Sequence, residues 1–289
     1  MIERLVETKI IDLGPGMKVE LSTNGTQGRP LVILLHGFAT SRFSWNAQVG
    51  ALGDAGYFAV APNQRGYSAG ARPDTTELSN YTMDKVIGDV MDIGDRLGYG
   101  QSRFHLVGHD WGGSLGWEIA DRFPQRLGSL TILSRPHPLA FNRSLELDEA
   151  QKRRSGHHTK FLDPEAGQKI LAENAKWLRD RLSSNGVPPA AIECHLSVLG
   201  NPEAMEAALA WYRARGPGHA PVAVTKVPTL YIWGDADDSV GRIAAEGTRE
   251  FVAAPYQFEV LKGGGHFTAD QFPATVTELL WDHIARHPA

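Results

Sequence analysis

FHLVGHDWGGSLGWEIA (residues 104–120) runs four apolar or β-prone residues into Gly108-His109-Asp110-Trp111-Gly112, and a helical pattern follows at once. Strand, tight turn and helix, with small residues two before and two after a central one, is the geometry of a nucleophile elbow. Gly108 and Gly112 suit a turn too tight for side chains at those places. The central residue is thereby pushed to the carboxyl edge of a sheet, towards whatever binds above it. That residue is Asp110. Alone, the pattern reads equally well as a helix N-terminus capped by Asp110, so its surroundings decide.

Upstream, residues 4–12 and 17–23 read as two strands joined by Leu13-Gly14-Pro15-Gly16. LVILLH (31–36) is a continuous apolar run, as in a strand buried on both faces. Residues 44–55 form a helical pattern and YFAVA (57–61) the next strand. Residues 63–80 are polar and rich in turn formers, a long loop of the functional kind. A helix over 81–97 and a strand over 127–133 continue the alternation. From 136 to 220 the spacing predicts helices and loops but no strand; then come a strand at 227–234, a helix around 241–253, a strand at 256–261 and a helix over 273–286. The expected fold is α/β: a mostly parallel twisted sheet with helices on both faces. Residues 1–135 and 221–289 make its core, and 136–220 an inserted helical cap.

The 289 residues, 42% of them hydrophobic, can bury a large core. A net charge of −4 carries no basic footprint, which argues against nucleic acid and anionic membranes. The single cysteine, Cys194, excludes an internal disulfide. MIERLVETKIID is too charged for a signal peptide, and no run approaches the ~20 apolar residues of a membrane span. A cytoplasmic globular protein is expected; a homo-oligomer stays open.

A nucleophile at position 110 needs a base and a group to orient that base. The strand ending Trp233-Gly234 is followed by Asp235, Asp237 and Asp238; the strand at 256–261 is followed by Gly263-Gly264-Gly265-His266. Nucleophile, acid and histidine thus come in the chain order of α/β-hydrolases, each just past a strand. Together with His36-Gly37-Phe38, Arg65-Gly66-Tyr67 and Gly108–Gly113, these motifs make the chain resemble the epoxide hydrolase and haloalkane dehalogenase group of α/β-hydrolases over nearly its whole length. The resemblance implies Asp110 as nucleophile, Asp237 as the acid and His266 as the base. It also implies backbone N–H groups of Phe38 and Trp111 as oxyanion hole, His36, Trp111 and Phe267 against the substrate, and neither cofactor nor metal.

A carboxylate that attacks a saturated carbon leaves an ester, which water activated by His266 can cleave at Asp110's own carboxyl carbon. The substrate class is thus carbon–oxygen or carbon–halogen displacement, and the leaving group separates the two. An epoxide oxygen needs an acid, which the family takes from cap tyrosines. In NPEAMEAALAWYRARG (201–216), Asn201 can cap, and Met205, Ala208, Leu209 and Tyr212 share one face. The Trp-Tyr-Arg run resembles the cap motif that supplies the acid, here Tyr212. The second cap tyrosine is replaced in RRSGHHTKFLD (153–163) by His157 or His158, and a histidine can donate the same proton. The family's proline after His-Gly-x is Ala39, and Asn63 stands in place of an aspartate. Trp45, Trp117, Trp177 and Trp281 read as packing residues, and Lys152-Arg153-Arg154 as a solvated helix face. Hydrolysis of a small apolar epoxide is expected. A haloalkane dehalogenase with the same three residues, or a hydrolase-like binding protein or receptor, are the rivals.

Overall fold

The computed structural model describes residues 6–215 and 222–289, and of His157 the backbone only. Its strands are β1 (Glu7–Asp12), β2 (Lys18–Asn24), β3 (Leu31–Leu35), β4 (Phe58–Pro62), β5 (Phe104–His109), β6 (Leu127–Leu133), β7 (Thr229–Gly234) and β8 (Tyr256–Leu261). They form one sheet in the order β1-β2-β4-β3-β5-β6-β7-β8. β2 pairs antiparallel with both β1 and β4; the other pairings are parallel.

The run LVILL is apolar throughout because both faces of β3 are covered: all five residues are buried. Its pleat sends Leu31, Ile33 and Leu35 into one core and Val32 and Leu34 into another. Helices α1 (Asn46–Asp54) and α12 (Pro273–Arg286) pack on the second core, through Val49, Leu52, Val276, Leu280 and Ile284. On the first lie α2 (Met83–Gly94) and α3 (Trp111–Arg122). The helix expected to reach residue 97 is shorter, because the chain leaves α-geometry in a π-turn over Asp95–Tyr99 where Gly98 has φ 92°. Likewise the expected helix at 241–253 is α10 (Arg242–Gly247) followed by a 3-10 turn. Trp45 and Trp117 are core residues, whereas Trp177 and Trp281 are 37% and 54% exposed. Trp281 falls off the buried stripe of Val276, Leu280 and Ile284, so its ring faces outward.

Between β6 and β7 come α4 (Pro138–Leu147), α5 (Glu149–Arg154), α6 (His157–Lys160), α7 (Ala166–Ser184), α8 (Pro189–Leu199) and α9 (Pro202–Arg215), with no strand among the described residues. The expected boundary near 220 lies outside them. Lys152, Arg153 and Arg154 are exposed on α5. α7 is broken at Glu173, Asn174 and Ala175, which hold φ of 52°, 59° and 55°. α9 starts as its sequence dictates: Asn201 Oδ1 accepts from Ala204 N–H at 3.0 Å. Met205, Ala208, Leu209 and Tyr212 are buried, and so are Ala207, Ala210 and Trp211. The helix is enclosed on more than one face because the loop over 63–80 clamps it. Arg65 forms a buried, two-bonded ion pair with Asp89 of α2 (2.7 and 2.6 Å), and its carbonyl accepts the Trp211 indole N–H at 3.0 Å. Asn63 acts locally, accepting from Arg42 N–H at 3.1 Å and donating to Glu20 at 3.1 Å. α11 (Thr268–Gln271) follows the histidine loop.

Candidate active site

The turn between β5 and α3 holds Asp110 at φ 50°, ψ −111°, a conformation that most side chains avoid. Two close approaches impose it. A Cβ on Gly108 would stand 2.2 Å from the carbonyl oxygen of Gly112, and one on Gly112 would stand 2.2 Å from that of Leu35. The turn is therefore closed against both its own helix and β3, and it presents Asp110 above the sheet.

Two further loops meet it there. Asp237, past β7, is fixed by N–H groups of Ser239 (2.8 Å) and Val240 (3.0 Å) donating to its Oδ1. Its two carboxylate oxygens lie 3.1 and 3.0 Å from His266 Nδ1. The opposite ring nitrogen, Nε2, stands 3.6 Å from Asp110 Oδ2. The other two acids of the loop are employed elsewhere. Asp235 accepts from Gly263 N–H at 2.6 Å, and Asp238 pairs with Arg181 at 3.1 Å. The structure thus brings Asp110, His266 and Asp237 into one line.

Phe38 N–H donates to Asp110 Oδ1 at 3.0 Å. The two oxygens of Asp110 are thereby distinguished, Oδ1 held by a backbone donor and Oδ2 turned towards the histidine. Ala39, next in the chain, sits at φ 69° with no cis bond, so the loop is bent by a left-handed residue where the family has proline. Trp111 opens α3, with its N–H in the first turn.

The charges are coupled. Burial alone would raise the Asp110 pKa, but the His266 ring beside it reverses this and holds the carboxyl well below its usual range. Burial alone would lower the His266 pKa; the charge of Asp237, and then Asp110, override it and raise it to about 10. At rest the histidine is a cation between two carboxylates.

Tyr212, from α9, closes the site from above. Its ring meets those of Phe38 (5.4 Å), Trp111 (5.0 Å) and Phe161 (4.9 Å) nearly at right angles. Burial, and then the Asp110 charge, push its hydroxyl far above the usual phenol range, so it stays a proton donor. Asp110, Tyr212, His266, Phe267 and Phe38 line one cavity, completed by Phe161, Arg181 and Ser239. Its free volume is about 20 Å³, room for a single water.

Not every expected residue lies there. His36 is not a wall of the cavity. Its ring is buried, Nε2 accepting from Gln64 N–H at 3.2 Å and Nδ1 facing the Gly37 carbonyl at 3.0 Å. Burial lowers its pKa to about 3, so it braces the loop as a neutral ring. The indole of Trp111 is likewise not a cavity wall; its ring meets those of Tyr212 at 5.0 Å and Trp211 at 5.6 Å, and its ring N–H donates to the Tyr212 hydroxyl. The His157 side chain lies outside the described residues, and the ring of His158 lies 5.9 Å from that of Tyr212.

Residues given no role by the sequence hold the histidine loop. His109 Nε2 donates to the His266 carbonyl at 2.9 Å, and burial keeps His109 neutral by lowering its pKa to about 4. Asn185, just past α7, accepts the His266 N–H at 2.8 Å and donates to Asp238 at 3.1 Å. Arg181 of α7 adds a bond to Ser239 Oγ at 2.8 Å. Only His109, beside the elbow, carried any signal in the sequence.

Comparison with known proteins identifies the family of the fold. The family described as alpha/beta hydrolase fold matches residues 30–185, more than half of the chain. The chain belongs to that family. Among relatives, this hydrolase is 30% identical over 279 residues to epoxide hydrolase 4 of Mus musculus, spanning 92% of this chain and 76% of the relative. Epoxide hydrolase A of Mycobacterium tuberculosis is 27% identical, over 98% of this chain and 97% of its own. A solved structure described among novel epoxide hydrolases in metagenomes from hot environments superposes with a TM-score of 0.85 at 27% identity, covering 98% of this chain and 100% of its own. Among the described residues of this hydrolase, no helix is long and apolar enough to cross a membrane.

Proposed function

We propose that this hydrolase opens small apolar epoxides to vicinal diols through an ester on Asp110. One observation carries the reading: the Asp110 carboxylate and the protonated Tyr212 hydroxyl belong to walls of the same small cavity. A ring carbon attacked from one side and a ring oxygen protonated from another is what epoxide opening requires. The names of the relatives support the same chemistry.

Asp110 Oδ2 attacks a ring carbon while Tyr212 donates a proton to the departing oxygen; the alkyl–enzyme ester results. Oδ1 becomes the ester carbonyl, already held by Phe38 N–H at 3.0 Å. The His266 imidazolium, no longer facing the Asp110 anion, returns a proton to the Tyr212 phenolate; now neutral and aligned by Asp237, the ring takes a proton from water as the water attacks that carboxyl carbon. The negative charge of the tetrahedral intermediate then develops on Oδ1, within the 2.7–3.1 Å donor range that stabilises it. Trp111 N–H is the second donor. Collapse expels the alkoxide, which takes the proton from His266 to complete the diol, and the carboxyl proton of Asp110 passes to His266, restoring the carboxylate. Residues 136–220 act as a cap over this chemistry, and His157 or His158 assists Tyr212.

A carbon–halogen substrate would need N–H donors for the leaving anion, and Phe38 has none in its side chain while the Trp111 indole N–H is engaged by the Tyr212 hydroxyl. The test is a panel of epoxides and alkyl halides assayed for diol and halide. Diol release is expected; halide release with no action on any epoxide overturns the reading, as does tight binding without turnover. Single turnover in ¹⁸O-water should give an unlabelled first diol with the label in Asp110.

A further inference from the structure

A cavity of about 20 Å³ cannot hold any epoxide, whereas sites for small organic ligands commonly span about 300–1,000 Å³. A second cavity of about 350 Å³ lies in the helical stretch, walled by Phe161, Ala166, Ile170 and Trp177. Phe161 is the one residue that lines both. On one side its ring meets Phe38 and Tyr212, each at 4.9 Å; on the other it meets Trp177 at 5.8 Å. The rim bears Lys169, whose ammonium is engaged by Asp163 (2.7 Å) and Glu165 (2.9 Å). That cation is neutralised within its own surroundings, and Lys160, the other cation at the rim, is exposed to solvent, so the apolar walls set the ligand chemistry.

Resting on the hydrolase reading above, we infer that this second cavity is the subsite for the substrate's uncharged apolar tail, with Phe161 as the partition that turns aside when substrate enters. The reacting carbon then sits at Asp110 while an alkyl or aryl tail lies between Ile170 and Trp177. Selectivity for tail length is set by this cavity, and access to it by one ring.

The experiment follows a series of terminal 1,2-epoxides from three to ten carbons in the full-length protein. In the wild type, kcat/KM should rise with each methylene until the cavity is full, by about three- to fourfold per buried CH₂. Ile170→Trp fills the cavity from its far wall and should flatten that slope, chiefly through KM; Phe161→Ala should raise the long-to-short ratio several-fold. Circular dichroism and the thermal midpoint check that both variants fold. In parallel, 1,2-alkanediols of the same lengths are titrated against Trp177 fluorescence, isolated by difference from Trp177→Phe. Dissociation constants should tighten with length in the wild type and not in Ile170→Trp. Slopes unchanged by Ile170→Trp in both arms overturn the subsite. If no epoxide is opened at all, the hydrolase reading fails, and the diol titration by itself decides whether the cavity binds apolar tails.

Discussion

The elbow below the site and the helices above it are built on opposite principles. Below, Asp110, Asp237 and His266 each follow a strand by a few residues, and hydrogen bonds of the loops fix them. Above, Tyr212, Phe161 and Arg181 are placed by rings and ion pairs between segments far apart in the chain. The contrast teaches that the reaction's common step is specified locally, while the leaving group and the substrate's shape depend on how the helices pack.

The largest effect should come from below. Asp110→Asn removes the attacking oxygen and should reduce diol formation by on the order of 10⁴ or more, measured by quenched flow. Tyr212→Phe tests the helices: it should lower kcat/KM on epoxides by about 10²–10⁴ and spare any turnover of alkyl halides. Equal losses on both substrate classes would erase the division of labour between the two regions. Asn185→Ala cuts the link between them, the 2.8 Å bond that holds the His266 N–H. One such bond amounts to about 1 kcal/mol, so kcat should fall roughly five- to tenfold, with KM little altered.

His266 predicts a pH signature for the lower region. Its folded pKa, about 10, lies above the 6.5 of an unperturbed histidine. The folded state therefore holds the proton more tightly, and this stabilisation is complete below about pH 6.5 and lost as pH rises through 10. Thermal midpoints of the wild type should fall over that window more steeply than those of His266→Gln. The smallest effect belongs to α7. Exposed Glu173 sits at φ 52°, which costs a non-glycine residue about 1–2 kcal/mol. Glu173→Gly should raise the urea midpoint by the equivalent of about 1 kcal/mol, less what glycine gives the unfolded chain.

What could be read in advance follows the same division. Gly108, Gly112 and the strand before them announce the elbow because close backbone approach permits little else there. His266 is legible because it follows a strand; Asp237 is told from Asp235 and Asp238, and Tyr212 marked on its helix, only by resemblance to the family's motifs. Asn185 is an ordinary residue type in the linear chain; its meaning comes from contact with His266, 81 positions away. Phe161 is equally silent until the packing of α7 and α9 makes it a wall. In the motif that includes His36, it is the backbone of Phe38 that meets Asp110, while the imidazole accepts from Gln64 N–H.

In the mechanism proposed above, the 3.6 Å between Asp110 and His266 also sets an order of events. While Asp110 is an anion, His266 stays protonated and cannot accept a proton from water. Alkylation abolishes that anion and with it part of what holds the proton. Ring opening takes up one proton at the leaving oxygen, and the imidazolium is then ready to release one. The base for the second step is thus created by completion of the first, and a short distance between two side chains serves the enzyme as its clock.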